Sequence, residues 1–282
     1  MEWAKAKTII LILLAALNIF LLSRIILDYG NQGVPRETIA NMEKILESRG
    51  VRLECEVPRY DKETPKLVFG NGKVNKAAQV EKLLGRQFLN EAGSDVQENT
   101  FVEGTKKLTF TGSNSFTYAD ASPAESVGIA RAAEAEEYIQ KFLKDKGLDN
   151  PTYMQDGEPV RDSDGITFNY IEKYKGFLVF DNYLTVKVSA KGVTYLEVRH
   201  KQIKGFSPDK VNDIAAAYQV LLENFTGDEK AVITSVDMGY KDAVDSGENG
   251  LQFSEQLPVW RIKVKDSEKP RYFSASDGKE II

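Results

Sequence analysis

The sequence predicts an α+β protein with one N-terminal transmembrane helix, followed by an extracytoplasmic region of antiparallel sheets with packed helices. Three observations point there. Thr8 to Leu27, TIILILLAALNIFLLSRIIL, is the one run long and apolar enough for a bilayer. Helical patterns open near Pro35, Pro123 and Pro208, and each ends at a glycine. Between them, alternating apolar and polar stretches succeed one another across tight turns, which antiparallel strands permit and parallel strands do not.

At ~1.5 Å per residue, a helix over the apolar run matches a hydrocarbon core of roughly 30 Å. Trp3, Lys5 and Lys7 stand where interfacial anchors are expected, and Arg24 can snorkel to the far headgroups. The cationic start keeps the N-terminus cytoplasmic and exports the chain beyond Leu27. A cleaved signal peptide needs a shorter apolar centre and a small-x-small site. Ala15 and Ala16 lie inside the run and Ser23-Arg24-Ile25 is a poor site, so an uncleaved anchor is expected. Asn18 places a carboxamide at mid-membrane, with Ala15 and Leu22 on its helical face. A partner helix can supply its hydrogen bond, and so can its own helix or a water. The partner-helix reading makes Ala15, Asn18 and Leu22 the candidate contact.

After residue 28, Pro35 opens a helix carrying Ile39, Met42, Ile45 and Leu46 on one face, and Gly50 closes it. In VRLECEV the apolar residues alternate, which places Cys55, the only cysteine, on the apolar face of a strand. Next come a second strand near Lys66 to Phe69, a helix near Asn75 to Leu84 and a hairpin of Lys107 to Thr111 with Ser115 to Tyr118. Ser122-Pro123-Ala124-Glu125 has the form of a helix start, with the helix running to Gly147. Strands are expected at Gly165 to Tyr174, Tyr183 to Val188 and Val193 to Gln202. Ser207-Pro208-Asp209 then starts a helix to Gly227, and Ala231 to Tyr240, Pro258 to Lys265 and Arg271 to Ala275 supply strands. The recurrence suggests three α+β units, 29–121, 122–206 and 207–282, although helices after Ser-Pro occur in any α+β protein.

The formal charge is −5. The first 27 residues hold three cations and one anion, leaving −7 on the remainder, which argues against nucleic acid as a partner. Catalytic signatures are missing. Hydrolysis through a serine and histidine would depend on His200, the only histidine, and no GxSxG elbow is present. His200 reads as a satisfied residue at a strand end. Gly70-Asn71-Gly72-Lys73 lacks phosphate-loop spacing, and Asp162-Ser163-Asp164-Gly165 lacks the outer ligands of a calcium loop. No enzyme activity, metal or cofactor is expected.

The segment MEWAKAKTIILILLAALNIFLLSRII, through Trp3, Lys7, Thr8, Ile9, Asn18, Ile19, Phe20 and Leu21, resembles the start of the YycI (WalI) family. LPVWRIKV and RYFSASDGKEI are similar to the strand-turn-strand end of PepSY-type modules. The first resemblance implies a membrane-anchored regulator of an essential cell-wall two-component system. Its partners would be the WalK sensor histidine kinase and a YycH-type protein, met through membrane helices. The second implies that the third unit, 207–282, is PepSY-like, so that the recurring units would be PepSY-like repeats, and with it comes the alternative of a tethered binding or peptidase-inhibitory module.

Overall fold

The computed structural model describes residues 3, 7, 11–21, 34–60, 62–70, 72–85, 99–211, 213–227, 230–241, 253–267 and 269–281. Residues 11–21 are helical (α1), as are 3 and 7. Among the described residues no helix is long and apolar enough to cross a membrane. The expected span also includes residues 8–10 and 22–27, which lie outside the described residues.

Next come α2 (Arg36–Ser48), β1 (Val51–Leu53), β2 (Thr64–Gly70) and α3 (Lys76–Leu84), then β3 (Thr100–Glu103), β4 (Lys106–Gly112) and β5 (Ser115–Asp120). Helix α4 (Ala132–Asp145) precedes β6 (Tyr153–Gln155), β7 (Val160–Arg161), β8 (Ile166–Tyr174), β9 (Phe177–Ser189), β10 (Gly192–Arg199) and β11 (Ile203–Val211). The last elements are α5 (Ala217–Asn224), β12 (Ala231–Tyr240), β13 (Phe253–Gln256), β14 (Pro258–Val264), β15 (Arg271–Ser274) and β16 (Glu280–Ile281).

Most strands form one sheet in the order β16-β15-β14-β12-β9-β10-β5-β4-β3, with β8 also on β9 and β6 and β7 on β8. A second sheet runs β11-β2-β13. The pairings are antiparallel as expected, with two exceptions. Strand β1 lies parallel to β12, Val51 opposite Ala231, and β12 meets β9 in parallel at Gly239–Leu178 and Tyr240–Val179. Only glycine suits that second junction, because a Cβ at 239 would run into the Leu178 carbonyl oxygen and the Phe180 ring.

Two expected helix starts are corrected. Residues 123–130 are not helical. Their N–H groups go elsewhere: Glu125 donates to Lys191 O (2.9 Å) and Val127 to Ala190 O (3.0 Å), against the β9–β10 turn. The helix begins only at Ala132. Likewise Ser207-Pro208 lies in β11, where a register shift between Phe206 and Lys210 accommodates the proline's missing donor. Ala215 is then held outside the helix, since its N–H donates to Ala275 O (2.7 Å) and its carbonyl accepts the Trp260 indole N–H (2.7 Å). Helix α5 starts two residues on, with the Gln219 side chain accepting from Ala216 N (2.8 Å).

Two principal cores result. One packs α3 and α4, through Val80, Leu83, Ile139 and Leu143, on β4, β5, β8, β9 and β10. The other draws on both ends of the chain: Met42 and Leu46 of α2 and Val51 meet Val220, Leu221, Ile233, Trp260 and Phe273. Ile45, expected on the inward face of α2, is 41% exposed. Arg49 locks the helix pair, because its guanidinium donates to Leu222 O (2.7 Å) and Phe225 O (3.2 Å) at the C-terminal end of α5.

Strand β9 connects the cores through a distortion. Its pairing with β8 jumps from Ile171–Tyr183 to Glu172–Val179, leaving Phe180, Asp181 and Asn182 outside that ladder, all three buried. Asn182 Nδ2 donates to Glu172 (2.6 Å) and to Lys201 O (2.8 Å), while its Oδ1 accepts from Lys201 N (2.8 Å). Asp181 accepts from Gln256 (3.3 Å) and Lys241 (3.4 Å). The Phe180 ring lies under the Arg261 guanidinium, 4.8 Å from its centroid. Arg261, buried on β14, makes two hydrogen bonds to Asp156 (2.6 and 2.9 Å) and also pairs with Asp237 (2.8 Å). Burial disfavours its charge, but the Asp156 and Asp237 carboxylates outweigh this and raise its pKa.

Asn182→Ala strips partners from the Lys201 backbone and from the buried Glu172 carboxylate. It is expected to lower the unfolding free energy by about 3 kcal/mol, read as a lower urea midpoint at unchanged slope.

Candidate functional site

The sequence places its candidate contact on the N-terminal helix. Ala15 and Asn18 lie in α1, both exposed, whereas Leu22 lies outside the described residues. The Asn18 Nδ2 donates to Leu14 O (3.0 Å), so one of its donors is used within its own helix. Of the interface residues, Trp3 and Lys7 are described and Lys5 and Arg24 are not. The Lys7 ammonium lies 4.5 Å from the centroid of the Trp3 ring, a cation–π arrangement within one helical turn. The large apolar side chains from Leu11 to Leu21 are all exposed, from 49% at Leu21 to 69% at Ile19. Trp3, at 74%, is equally uncovered.

A second locus was not singled out by the sequence. A cleft of about 520 Å³ opens between the N-terminal end of α3, the turn after α4 and the end of β10. Asn75 caps α3, its Oδ1 accepting from Ala78 N (3.1 Å). Gly147, at φ +59, ends α4 with the Leu148 N–H returning to Leu143 O (2.8 Å), a left-handed cap that turns Asp149 and Asn150 toward the cleft wall. Asn150 Oδ1 then accepts from Thr152 N (3.0 Å).

His200 lines the same cleft just past β10, with its backbone N–H on Asn114 O (3.0 Å). Its Nδ1 lies 3.4 Å from Glu172 Oε2 and 3.4 Å from the Tyr153 hydroxyl. Glu172 also accepts from Asn182 Nδ2 and, at Oε1, from Thr152 Oγ1 (3.0 Å). Burial pushes the Glu172 carboxyl up, but hydrogen bonds from His200 and Asn182 outweigh burial and hold it below the usual glutamate range. Burial, then the Glu172 charge, raises the Tyr153 phenol, which therefore stays protonated. His200 is thus partnered at its strand end, as expected, but also faces a cleft.

The Glu172–His200 pair is surrounded by the Asn182 carboxamide (2.6 Å from Glu172 Oε2), the Thr152 hydroxyl (3.0 Å from Oε1) and the Tyr153 phenol (3.4 Å from His200 Nδ1), which burial keeps protonated. Cys55 stands apart: the β1 ladder ends at Leu53, and Cys55 packs half-buried against the α2–α5 core. Burial, then Asp237, raises its pKa despite a backbone hydrogen bond at Val236. Among the described residues, no group of three or more His, Cys, Asp or Glu is placed to hold a metal ion. Asp162 forms the strand-leading turn expected of it, accepting from Asp164 N (2.8 Å) and Gly165 N (3.0 Å).

The signal for Glu172 and Asn182 was present in sequence. Polar residues interrupt two otherwise apolar strands, at ITFNYIEKY and FLVFDNYLTV. A uniform two-residue alternation hides their burial, because the bulge reverses the facing at that point.

The family model for the YycI protein matches residues 31–275. A search of the curated proteins found no match. Five solved chains match, one of them the Bacillus megaterium YpeB C-terminal domain, at 14% identity and a TM-score of 0.40, covering 74% of this chain and 96% of that one.

Because the folded Glu172 carboxyl ionises below its ordinary value of 4.5, the native state binds fewer protons than the unfolded chain as pH falls through that region. Its contribution to stability is complete above that value and disappears as pH drops through the depressed pKa. Glu172→Gln is expected to flatten the acid limb of the melting temperature against pH. An unchanged acid limb would assign the proton uptake to other carboxylates.

Proposed function

The chain belongs to the YycI family, and from that membership we propose that it is a regulatory accessory protein of a two-component system, acting on a WalK-type sensor histidine kinase. We further propose a single span over Thr8 to Leu27, a cytoplasmic N-terminus and an extracytoplasmic fold. In this reading α1 packs against the helices of the kinase and of a YycH-type protein.

The observation that carries this is the helix, apolar on nearly all sides, whose large side chains are exposed among the described residues. Its 11 described residues are about 16 Å long, roughly half a hydrocarbon core. Side chains such as Leu11, Leu14, Leu17 and Phe20 in water would forfeit about 1.5–3 kcal/mol each relative to burial, so lipid or other helices must cover them. A helix that packs differently against two kinase states biases their equilibrium; one that packs equally against both does nothing. Asn18, with one donor turned back on Leu14, keeps its carbonyl oxygen and second N–H for a neighbour, and Ala15 permits close approach. The anchors Trp3, Lys5, Lys7 and Arg24 set the depth of the helix.

The cleft beside His200 favours a second reading, in which a tethered exported module recognises a ligand and the span serves only as an anchor. The two readings separate when residues 8–27 are replaced by an unrelated span of equal hydrophobicity. Helix-mediated regulation predicts loss of kinase and sister-protein co-purification from membranes, together with loss of the effect on kinase output. Equal capture by native and replaced spans rejects it. Asn18→Leu is expected to reduce capture by about threefold, in line with the modest strength of intramembrane hydrogen bonds.

A further inference from the structure

The cleft between α3, the α4 turn and β10 is bordered by five carboxamides: Asn75, Gln79, Asn114, Asn150 and Gln202. Charge is balanced and sparse, Lys73 against Asp149, with His200 engaged on Glu172. A phosphate or carboxylate ligand would meet a single ammonium with a carboxylate in the same cleft, and a cationic ligand the reverse. The lining therefore selects against charge in either sense.

Several of these amides have half their capacity committed and the other half left over. Asn75 and Asn150 use their oxygens as caps, which leaves each NH₂ without an intramolecular acceptor among the described residues. Asn114 is satisfied when its Nδ2 points to the carbonyls of Gly72 and Ser113, which turns Oδ1 the other way. The Gln79 Oε1 is buried with no partner among the described residues. The cleft thus offers spare amide donors on Asn75 and Asn150 and a spare acceptor on Asn114, with the half-buried Val74, Leu148 and Tyr153 as its accessible apolar surface. A planar amide pairs with another amide or with hydroxyls, which both donate and accept. The volume lies within the roughly 300–1,000 Å³ of small-molecule sites.

A ligand matching this surface carries no net charge, several hydroxyls, acetamido groups and one C–H face. An extended peptide fits less well. It binds by adding to an exposed strand edge, and both edges of β10 are already occupied, by β9 and by β5. We propose that the cleft binds a neutral, N-acetylated saccharide, with the carboxamides reading hydroxyl and acetamido groups and the apolar surface taking the C–H face of a sugar ring. This goes beyond helix-mediated regulation and does not depend on it.

The test is saturation-transfer NMR on the full chain in nanodiscs, with triacetylchitotriose as probe and trialanine blocked as its N-acetyl amide as the neutral peptide control. Saturation of the acetamido methyl groups is expected, and no transfer to trialanine. Asn114→Leu removes one amide contact together with its hydrogen bonds to Gly72 and Ser113, and Gln202→Trp fills the rim from an exposed position; each is expected to weaken binding about tenfold or more, with the Gln202→Trp melting temperature close to the parent's. Absence of transfer to the triose, transfer that survives both substitutions, or transfer to trialanine instead would each overturn the assignment.

Discussion

Asn182 takes the place of a missing strand residue. Where β9 leaves the ladder with β8, its carboxamide both donates to and accepts from the Lys201 backbone, so the chain beyond β10 is held by a side chain in place of a main-chain pair. The same amide fixes Glu172, which fixes His200. The two residues before it in the bulge act in parallel on the other half of the molecule. Asp181 holds Gln256 and Lys241, and Phe180 supports Arg261. One three-residue irregularity therefore orients the cleft network on one side and the buried charge cluster of Arg261, Asp156 and Asp237 on the other. Glu172 and Arg261, 7% and 4% exposed, do not tolerate losing their partners, because stripping one partner from a buried ion pair costs about 3–5 kcal/mol.

Much of the fold was legible because it rests on local chemistry. Strand β12 falls on the predicted residues, and the hairpin at Gly112-Ser113-Asn114 and the turn at Ser189 to Gly192 announce themselves through turn residues. Asn75 and Gly85 bracket α3 as a cap and a left-handed stop. Illegible were the places where a distant backbone group decided the local outcome. Ser122-Pro123 has the chemistry of a helix start, yet the carbonyls of Ala190 and Lys191 claim the N–H groups a helix would need. Ser207-Pro208 fails for a similar reason, with Trp260 and Ala275 claiming Ala215. A capping motif is a local preference worth about 1 kcal/mol, and a few tertiary hydrogen bonds exceed it.

The two candidate loci differ in how they were found. The uncovered apolar helix declares itself from hydropathy alone, and Asn18 stands out as its one carboxamide. The cleft required the fold, since its carboxamides come from positions as far apart as Asn75, Asn150 and Gln202 and no spacing joins them. The family match behaves likewise. It spans residues 31–275 and so rests on the folded region, whereas the resemblance in the sequence rests on the first 26 residues.

The pairing of α2 with α5 bears on the order in which the protein can form. Arg49 and its acceptor Leu222 are 173 residues apart, and among the described residues β1 pairs only with β12. During synthesis, Met42, Leu46 and Val51 emerge early and must wait for most of the chain before their core exists. The α3–α4 core can close first, from residues 80 to 198. Folding is thus expected to be sequential, with the segment nearest the N-terminal helix the last to settle and its apolar face the part most in need of chaperoning.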